Sequence, residues 1–270
     1  MTFLEEWKQF SQARIGLTRT GGSISTKDML RFRLDHARAR DAVLLSPDFA
    51  KLLKDLEVLG KPFSLPALLL ESQVSSKEEY LMRPDLGRRL STDSLETIQK
   101  FTGEYDLVLM GIDGLSAKAL DENYIPFLKL LMNSLSKTGL RIAPLVLTKW
   151  GRVAIGDEVG EVLNAKVSVV MIGERPGLSS ADSLGVYITY RPQVGKTDES
   201  RNCISNIRPD GLVLESAANK TVYLITEVIQ RKLSGVGLKD EMAPEFLREK
   251  KEGTRMVLGS GEVPSQRSKK

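Results

Sequence analysis

The sequence predicts an α/β fold: a Rossmann-like, mostly parallel sheet with helices on both faces, preceded by a helical N-terminal segment. Two observations carry this prediction. From about residue 104, short apolar runs typical of buried strands alternate with amphipathic patterns long enough for helices. Strands that alternate with helices in this way build parallel sheets covered by helices. Before residue 104, the apolar residues fall mainly at helical spacing.

Residues 1–103 are expected to form the helical segment and to dock a partner. Ser25 or Thr26 can cap its first long helix, because a hydroxyl there accepts the free amide protons of the first turn. Helices are predicted at 26–43, 48–59 and 92–101.

The helix predicted at 26–43 carries a wide apolar stripe that includes Met29, Phe32 and His36. Such a stripe either docks a partner subunit or packs into the core of the chain, and the pattern does not choose between them. His36 is the only histidine. Its place on the apolar side favours a packed core or interface position over catalysis. A metal site built from several histidines is excluded.

Residues 104–240 are expected to form the α/β domain. Asp113, which follows the first predicted strand, is interpreted as a helix cap. Strands are predicted at 106–110, 141–147, 167–172 and 185–190, and helices at 125–137, 152–164 and 215–233. Residues 241–270 are polar and mixed in charge, so we expect a poorly ordered tail with one marginal helix near 244–251.

The bulk composition excludes several classes of function. A net charge of +4 is too small to indicate nucleic-acid binding. Cys203 is the single cysteine, which excludes an intrachain disulfide and a cysteine-rich metal site. No apolar run reaches the roughly 18 residues of a membrane-spanning helix. These bounds favour a soluble, cytoplasmic protein.

Two phosphate-binding motifs fail on spacing. Gly195-Lys-Thr197 resembles the end of a P-loop, but the first glycine of that motif would fall on Tyr190. Pro192 also interrupts the loop, and no helical pattern begins at Lys196. No G-x-G-x-x-G follows the first strand of the α/β domain, so a standard dinucleotide site is not predicted.

The loop after the strongest predicted strand stands out. It reads Gly173-Glu-Arg-Pro-Gly177, and ligands bind beyond the carboxyl ends of strands in open parallel sheets. Glu174 only accepts hydrogen bonds and Arg175 only donates them, so together they can hold a ligand that carries amides and a phosphate. The alternative is a structural turn with a surface ion pair. Cys203, in Asn202-Cys-Ile-Ser-Asn206, is a second candidate whose alternative is ordinary packing.

Several long stretches resemble the small subunit of ethanolamine ammonia-lyase, in the same order and at the same spacing over about residues 10–241. The resemblance is carried by the segments Ala13–Ser23, Leu34–Val43, Arg83–Gly87, Arg152–Asp157, Gly173–Leu184, Arg201–Pro209 and Leu233–Asp240. Several ordered matches of this length are far more specific than one short motif.

The resemblance implies a cofactor-binding role. Small subunits of this family contribute to an adenosylcobalamin site, and the corrinoid contacts map onto Val153, Glu174 and Cys203. The family keeps the cofactor's own nucleotide base on cobalt, and the Asp-x-His-x-x-Gly motif of base-off cobalamin proteins is absent here. Residues of this chain that act as catalytic groups or as metal ligands are not expected.

The resemblance also implies a partner and a reaction. A large TIM-barrel subunit holds the substrate in a hetero-oligomer, and the two subunits convert ethanolamine to acetaldehyde and ammonia by radical chemistry. The enzyme takes part in ethanolamine catabolism, in the cytoplasm or inside a bacterial microcompartment.

Three alternatives stay open at this point. One keeps the family but changes the substrate, because the family's substrate pocket lies in the large subunit. A stand-alone α/β enzyme with another nucleotide cofactor would need a phosphate loop, which the spacing argues against. A non-catalytic scaffold protein of a metabolic compartment would leave the loops around Glu174 and Cys203 purely structural.

Overall fold

The computed structural model describes residues 6–7 and 14–242. The expected tail and its helix near 244–251 lie outside the described residues, apart from the first two residues of the tail. The strands are β1 (Arg19–Thr20), β2 (Ser23–Ile24), β3 (Ala67–Glu71), β4 (Tyr105–Ile112), β5 (Leu145–Lys149), β6 (Ala165–Gly173), β7 (Leu184–Tyr190) and β8 (Arg201–Ile207). The helices are α1 (Thr26–Leu44), α2 (Phe49–Gly60), α3 (Lys77–Met82), α4 (Thr92–Gln99), α5 (Ala117–Ala119), α6 (Ile125–Leu135), α7 (Ile155–Val162) and α8 (Leu214–Arg231).

Strands β3 to β8 form one sheet of six strands in the order β3-β5-β4-β6-β7-β8. The first four strands of that order run parallel, whereas β7 and β8 are antiparallel to their neighbours. The predicted α/β fold with a mostly parallel sheet is therefore confirmed. The short antiparallel pair β1–β2 lies outside this sheet.

Helices cover both faces of the sheet, as predicted. One face packs against α2, α6 and α8, with a core that includes Leu56, Phe127 and Ile225. The other face packs against α4 and α7, with a core that includes Ile98 and Ile155. Strand β6 is buried on both faces because its residues are almost continuously apolar, which is the usual pattern of a central parallel strand.

Three features of the sheet were not predicted. Strand β3 comes from the segment expected to be helical, and it forms the edge of the main sheet beside β5. Strand β5 begins at Leu145 rather than at residue 141, because Ile142 makes only an isolated bridge to β4. Strand β8 forms the opposite edge of the sheet, and the polar and exposed residues between its buried ones conceal it in the sequence.

Helix α1 is exposed along most of its length, and Ala42 is its only residue reported as buried. Its large apolar side chains face solvent, among them Leu30 at 57% and Leu34 at 50% exposure. The interpretation of its stripe as core packing is therefore wrong. His36 is likewise exposed, with its ring centroid 6.2 Å from that of Phe32. Ser25 does cap the helix, accepting a hydrogen bond from the Asp28 amide at 3.2 Å.

The topology creates a crevice between β4 and β5. After β4 the chain crosses to the face covered by α6, whereas after β5 it crosses to the face covered by α7. Such a switch separates the connections at the carboxyl ends of the two strands, which is where open α/β sheets bind ligands.

Candidate ligand-binding cleft

A cleft of about 930 Å³ opens at the carboxyl ends of the strands. Its size lies at the upper end of the ~300–1,000 Å³ range of small-molecule sites. Val153, Glu174 and Tyr187 are among the residues that line it. The Gly195-Lys-Thr197 turn forms part of one wall and is followed by a short 3₁₀ turn rather than an α-helix, so the rejection of a P-loop is confirmed.

Arg152 and Val153 lie in the loop that follows β5. The Arg152 guanidinium stacks on the Tyr80 ring, with its central carbon 4.0 Å from the ring centroid. One of its Nη atoms donates to the Tyr80 carbonyl at 2.7 Å, and the Tyr80 hydroxyl donates to the Gly151 carbonyl at 3.0 Å. The Arg152 amide donates to the Gly87 carbonyl at 2.7 Å. A Cβ at position 87 would lie 3.0 Å from the Arg152 Cγ and 3.1 Å from the Trp150 carbonyl oxygen, so a side chain there would crowd the Arg152 stem.

Glu174 begins the loop after β6, and one of its carboxylate oxygens is already engaged. Its Oε2 accepts hydrogen bonds from the Ser183 hydroxyl and, at 3.2 Å, from the Asn206 amide. The other oxygen, Oε1, accepts no hydrogen bond from the described residues. The carboxylate thus ties β6 to β7 and β8 and keeps one acceptor for a ligand. The alternative interpretation of this loop included a surface ion pair, but Glu174 and Arg175 form none with each other in the described part of the chain.

Gly173 and Gly114 let the chain segments after β4 and β6 approach closely. A Cβ at Gly173 would lie 2.2 Å from the Ser116 carbonyl oxygen, and one at Gly114 would lie 2.2 Å from the Gly173 carbonyl oxygen. At Gly173 the close approach is therefore to another part of the backbone.

Cys203 lies on the edge strand β8, directly opposite Tyr187 on β7. Its side chain is exposed, but neighbouring groups partly shield the sulfur from water, and this shielding affects the pKa of the thiol. Burial raises the pKa of the Cys203 thiol, and the negative charge of Glu174 raises that pKa further. The group is therefore a neutral thiol near pH 7 and a poor nucleophile.

Two adjacent acidic residues of α7 hold opposite walls of the cleft. Asp157 forms an ion pair with Arg201 of β8, and both side chains are at most 2% exposed. Glu158 accepts the Leu90 amide at 2.6 Å and pairs with Arg89 at 2.8 Å. The helix therefore fixes the positions of the two walls relative to the sheet.

Asp113 follows β4 below the cleft and is 1% exposed. Neither of its carboxylate oxygens makes a hydrogen bond of normal geometry to the described residues. Burial raises the pKa of Asp113 to about 6, against the opposing effects of the Trp150 backbone and of Lys77. Its interpretation as a helix cap is wrong, because Ser116 caps α5.

The structure thus brings two of the three predicted site residues, Val153 and Glu174, to one cleft. Cys203 lies beside the cleft, in contact with the lining residue Tyr187. Sequence reasoning missed Arg152, although the residue falls within one of the segments that carry the family resemblance. It also missed the Asp157–Arg201 pair, whose partners lie far apart along the chain.

Residues 6–7 and 14–242 contain no cluster of potential metal ligands. In the same part of the chain, no helix is long and apolar enough to span a membrane.

Comparisons with known proteins agree over nearly the whole chain. The family model for the ethanolamine ammonia-lyase light chain matches residues 2–239. An ethanolamine ammonia-lyase small subunit from Pseudomonas fluorescens is 47% identical over 246 residues, covering 90% of this chain and 88% of that protein. One from Pseudomonas putida is 49% identical over 238 residues, covering 87% and 86%. One from Pseudomonas aeruginosa is 47% identical over 244 residues, covering 89% and 88%. The chain therefore belongs to the ethanolamine ammonia-lyase light-chain family.

Proposed function

We propose that this chain is the cofactor-holding small subunit of an adenosylcobalamin-dependent ethanolamine ammonia-lyase. With its large subunit it forms a carbon–nitrogen lyase that converts ethanolamine to acetaldehyde and ammonia. The observation that carries the proposal is that Val153 and Glu174 line one cleft at the switch point of the sheet, with Cys203 beside it.

The lining of the cleft fits the chemistry of the cofactor. Adenosylcobalamin combines an apolar macrocycle, amide side chains and a phosphodiester. Val153 offers a half-buried apolar surface to the macrocycle. The Oε1 atom of Glu174 can accept a hydrogen bond from an amide, and the exposed Cys203 side chain can fill space beside it.

The chemical step belongs to the bound cofactor, which supplies an adenosyl radical when its cobalt–carbon bond breaks. The residues of this chain bind the cofactor, orient it and exclude water. We assign no acid–base role in later steps to the acidic residues that line the cleft; Asp157 is engaged by Arg201 and Asp85 by Arg83. Base-on binding is expected, as in the family.

A large partner subunit is needed for two reasons. The cofactor is larger than a drug-sized ligand, so a cleft of about 930 Å³ encloses only part of it. The exposed apolar side chains of α1 also need cover, and a partner surface supplies it. We propose that α1 docks on the large TIM-barrel subunit and that the two chains form a hetero-oligomer.

The experiment that tests the function is reconstitution of activity. The large subunit, this chain and adenosylcobalamin are mixed, and acetaldehyde formation from ethanolamine is followed with a coupled alcohol dehydrogenase. We expect activity only when all three are present. Full activity of the large subunit without this chain would contradict the proposal.

The alternative is a non-catalytic scaffold protein of a metabolic compartment. The exposed face of α1 suits a scaffold as well as it suits a subunit interface. The two functions differ in the cofactor, because a scaffold has no reason to keep a free acceptor on Glu174. We propose that the enzyme is cytoplasmic, either free or enclosed in a bacterial microcompartment.

A further inference from the structure

We infer that Arg152 forms an anion subsite in the cleft and receives the phosphodiester of the bound cofactor. The inference rests on the proposed function and adds a residue to it. Arg152 is distinct from the three expected contacts Val153, Glu174 and Cys203, although it adjoins the first of them.

The position of the Arg152 guanidinium is fixed before any ligand binds. Tyr80 holds it from one side by stacking and by a hydrogen bond from Nη2 to its carbonyl oxygen. The Gly87 carbonyl holds the Arg152 backbone. A cation that is already ordered loses little conformational entropy when it binds an anion, so this geometry favours tight binding.

The hydrogen-bonding capacity of Arg152 is only partly used. Its Nε is shielded from solvent and has no hydrogen-bond partner among residues 14–242. Its Nη1 makes no hydrogen bond to the described residues, and no carboxylate of theirs pairs with it. Nη1 is not among the buried atoms, so it keeps a charged donor that an anion in the cleft can use.

The other arginines of the cleft that are held in place are already neutralised. Arg201 pairs with Asp157, and Arg89 pairs with Glu158. Arg88 and Arg175 also line the cleft, but both are exposed and neither is held by a stacking contact or an ion pair with the described residues. Arg152 is therefore the ordered arginine of the lining that has charge to offer.

A second cation lies near this arginine. Burial lowers the pKa of Lys77, the nearby Asp113 opposes that effect, and the positive charge of Arg152 lowers the pKa further. Lys77 and Arg152 thus repel each other, and the buried Asp113 carboxylate offsets part of this effect on Lys77. A bound phosphodiester relieves this repulsion, which is a further reason for an anion at Arg152.

Three ligands isolate the group that Arg152 recognises. Adenosylcobalamin carries the phosphodiester and the base, adenosylcobinamide phosphate carries a phosphate without the base, and adenosylcobinamide carries neither. Dissociation constants are measured by equilibrium dialysis for the two-chain complex. Wild type and Arg152→Gln are compared, with Arg191→Gln as the matched control, because Arg191 also lies over a tyrosine ring but does not line the cleft.

We expect Arg152→Gln to weaken binding of adenosylcobalamin and of adenosylcobinamide phosphate by about 10- to 100-fold. Its affinity for adenosylcobinamide should stay within about threefold of wild type, and Arg191→Gln should leave all three affinities within that margin. Equal losses for the three ligands would show that Arg152 only braces the loop, and they would overturn the inference. Failure of the wild-type complex to bind any of the ligands would overturn the proposed function as well.

A second variant covers the case in which Arg152→Gln does not assemble with the large subunit. Arg152→Lys keeps the charge and the aliphatic stem over Tyr80 but loses the planar fork of donors. A larger loss for the two phosphate-bearing ligands than for adenosylcobinamide supports the inference. An equal loss for all three overturns it.

Discussion

Asp157 and Arg201 form a bidentate ion pair inside the wall of the cleft, with N–O distances of 2.6 and 2.7 Å. Arg201 also donates to the Thr189 hydroxyl at 3.1 Å and to the Lys196 carbonyl at 3.0 Å. The pair thereby joins α7 to β8 and fixes the turn before β8 against the sheet. The contribution of this pair to the stability of the fold can be measured without any ligand.

Asp157→Asn should lower the free energy of unfolding by about 3–5 kcal/mol, because it removes the buried carboxylate from the buried Arg201 charge. Urea unfolding of the isolated chain measures this change. Asp198→Asn is the matched control, since Asp198 contacts the same arginine at 3.4 Å but its side chain is 97% exposed. That variant should change stability by at most about 1 kcal/mol. Equal effects of the two variants would mean that the buried pair does not support the wall.

Glu174→Ala should weaken adenosylcobalamin binding by about 5- to 150-fold, because a cofactor amide then loses its acceptor. Titration of the two-chain complex, followed by the corrinoid spectrum, measures the affinity. Some stability will also be lost, because Glu174 accepts hydrogen bonds from Ser183 and Asn206. Glu96→Ala removes an exposed glutamate far from the cleft and should leave the affinity unchanged. An unchanged affinity in Glu174→Ala would remove this residue from the cofactor site.

Cys203 should react slowly with thiol reagents, because its raised pKa leaves little thiolate near neutral pH. The sequence contains one cysteine, so iodoacetamide labelling of the isolated chain reports on it alone. The rate should rise with pH to a midpoint above the ~8.5 of an unperturbed thiol. A midpoint below that value would indicate an activated cysteine.

Cys203→Ala should accordingly retain activity in the reconstituted enzyme. The thiol fills space beside Tyr187 in this account and takes no part in bond breaking. An inactive Cys203→Ala enzyme with normal cofactor binding would contradict that role.

Asp113 should make stability depend on pH in a defined direction. Its pKa is raised to about 6 in the folded chain, above the ~3.9 of an unfolded aspartate. Between those two values the folded state binds more protons, so the free energy of unfolding falls as pH rises from 4 to 6. Asp113→Asn lacks this dependence, and its stability relative to wild type should rise by roughly 1–3 kcal/mol over that interval. A difference that is flat with pH, measured by urea unfolding, would refute the raised pKa.

Leu34→Asp should prevent assembly with the large subunit while leaving the isolated chain folded. Leu34 is 50% exposed on α1, so the change costs the free chain little, but a charge in an apolar interface is costly. Gel filtration measures assembly, and circular dichroism checks the fold. Val58→Asp is the matched control, because Val58 is 66% exposed on α2. Assembly by Leu34→Asp would remove α1 from the interface.

The sequence predicted those helices, strands and loops whose own residues form a recognisable pattern. The run at 167–172 identified β6, and the glycine-bounded loop after it located Glu174 at the end of a parallel strand. Val153 and Cys203 were found through family resemblance, because neither carries a local signal. The exposure of α1 could not be predicted, because an apolar stripe looks the same in a core and at an interface.

The sequence was uninformative where partners are distant. Among the described strands, β8 pairs only with β7. Its sequence is largely polar, so no apolar pattern marks it as a strand. The role of Arg152 depends on Tyr80 and Gly87, which reach it from a different part of the fold. Contacts of this kind leave no spacing that a single sequence can reveal.

The most direct test of the central claim is cofactor retention during gel filtration. This chain, the large subunit and adenosylcobalamin are applied together and in pairs, and the corrinoid spectrum of each protein peak is recorded. We predict that the corrinoid travels with protein only when both chains are present. A stable two-chain complex that carries no corrinoid would contradict the cofactor role of Val153, Glu174 and Cys203.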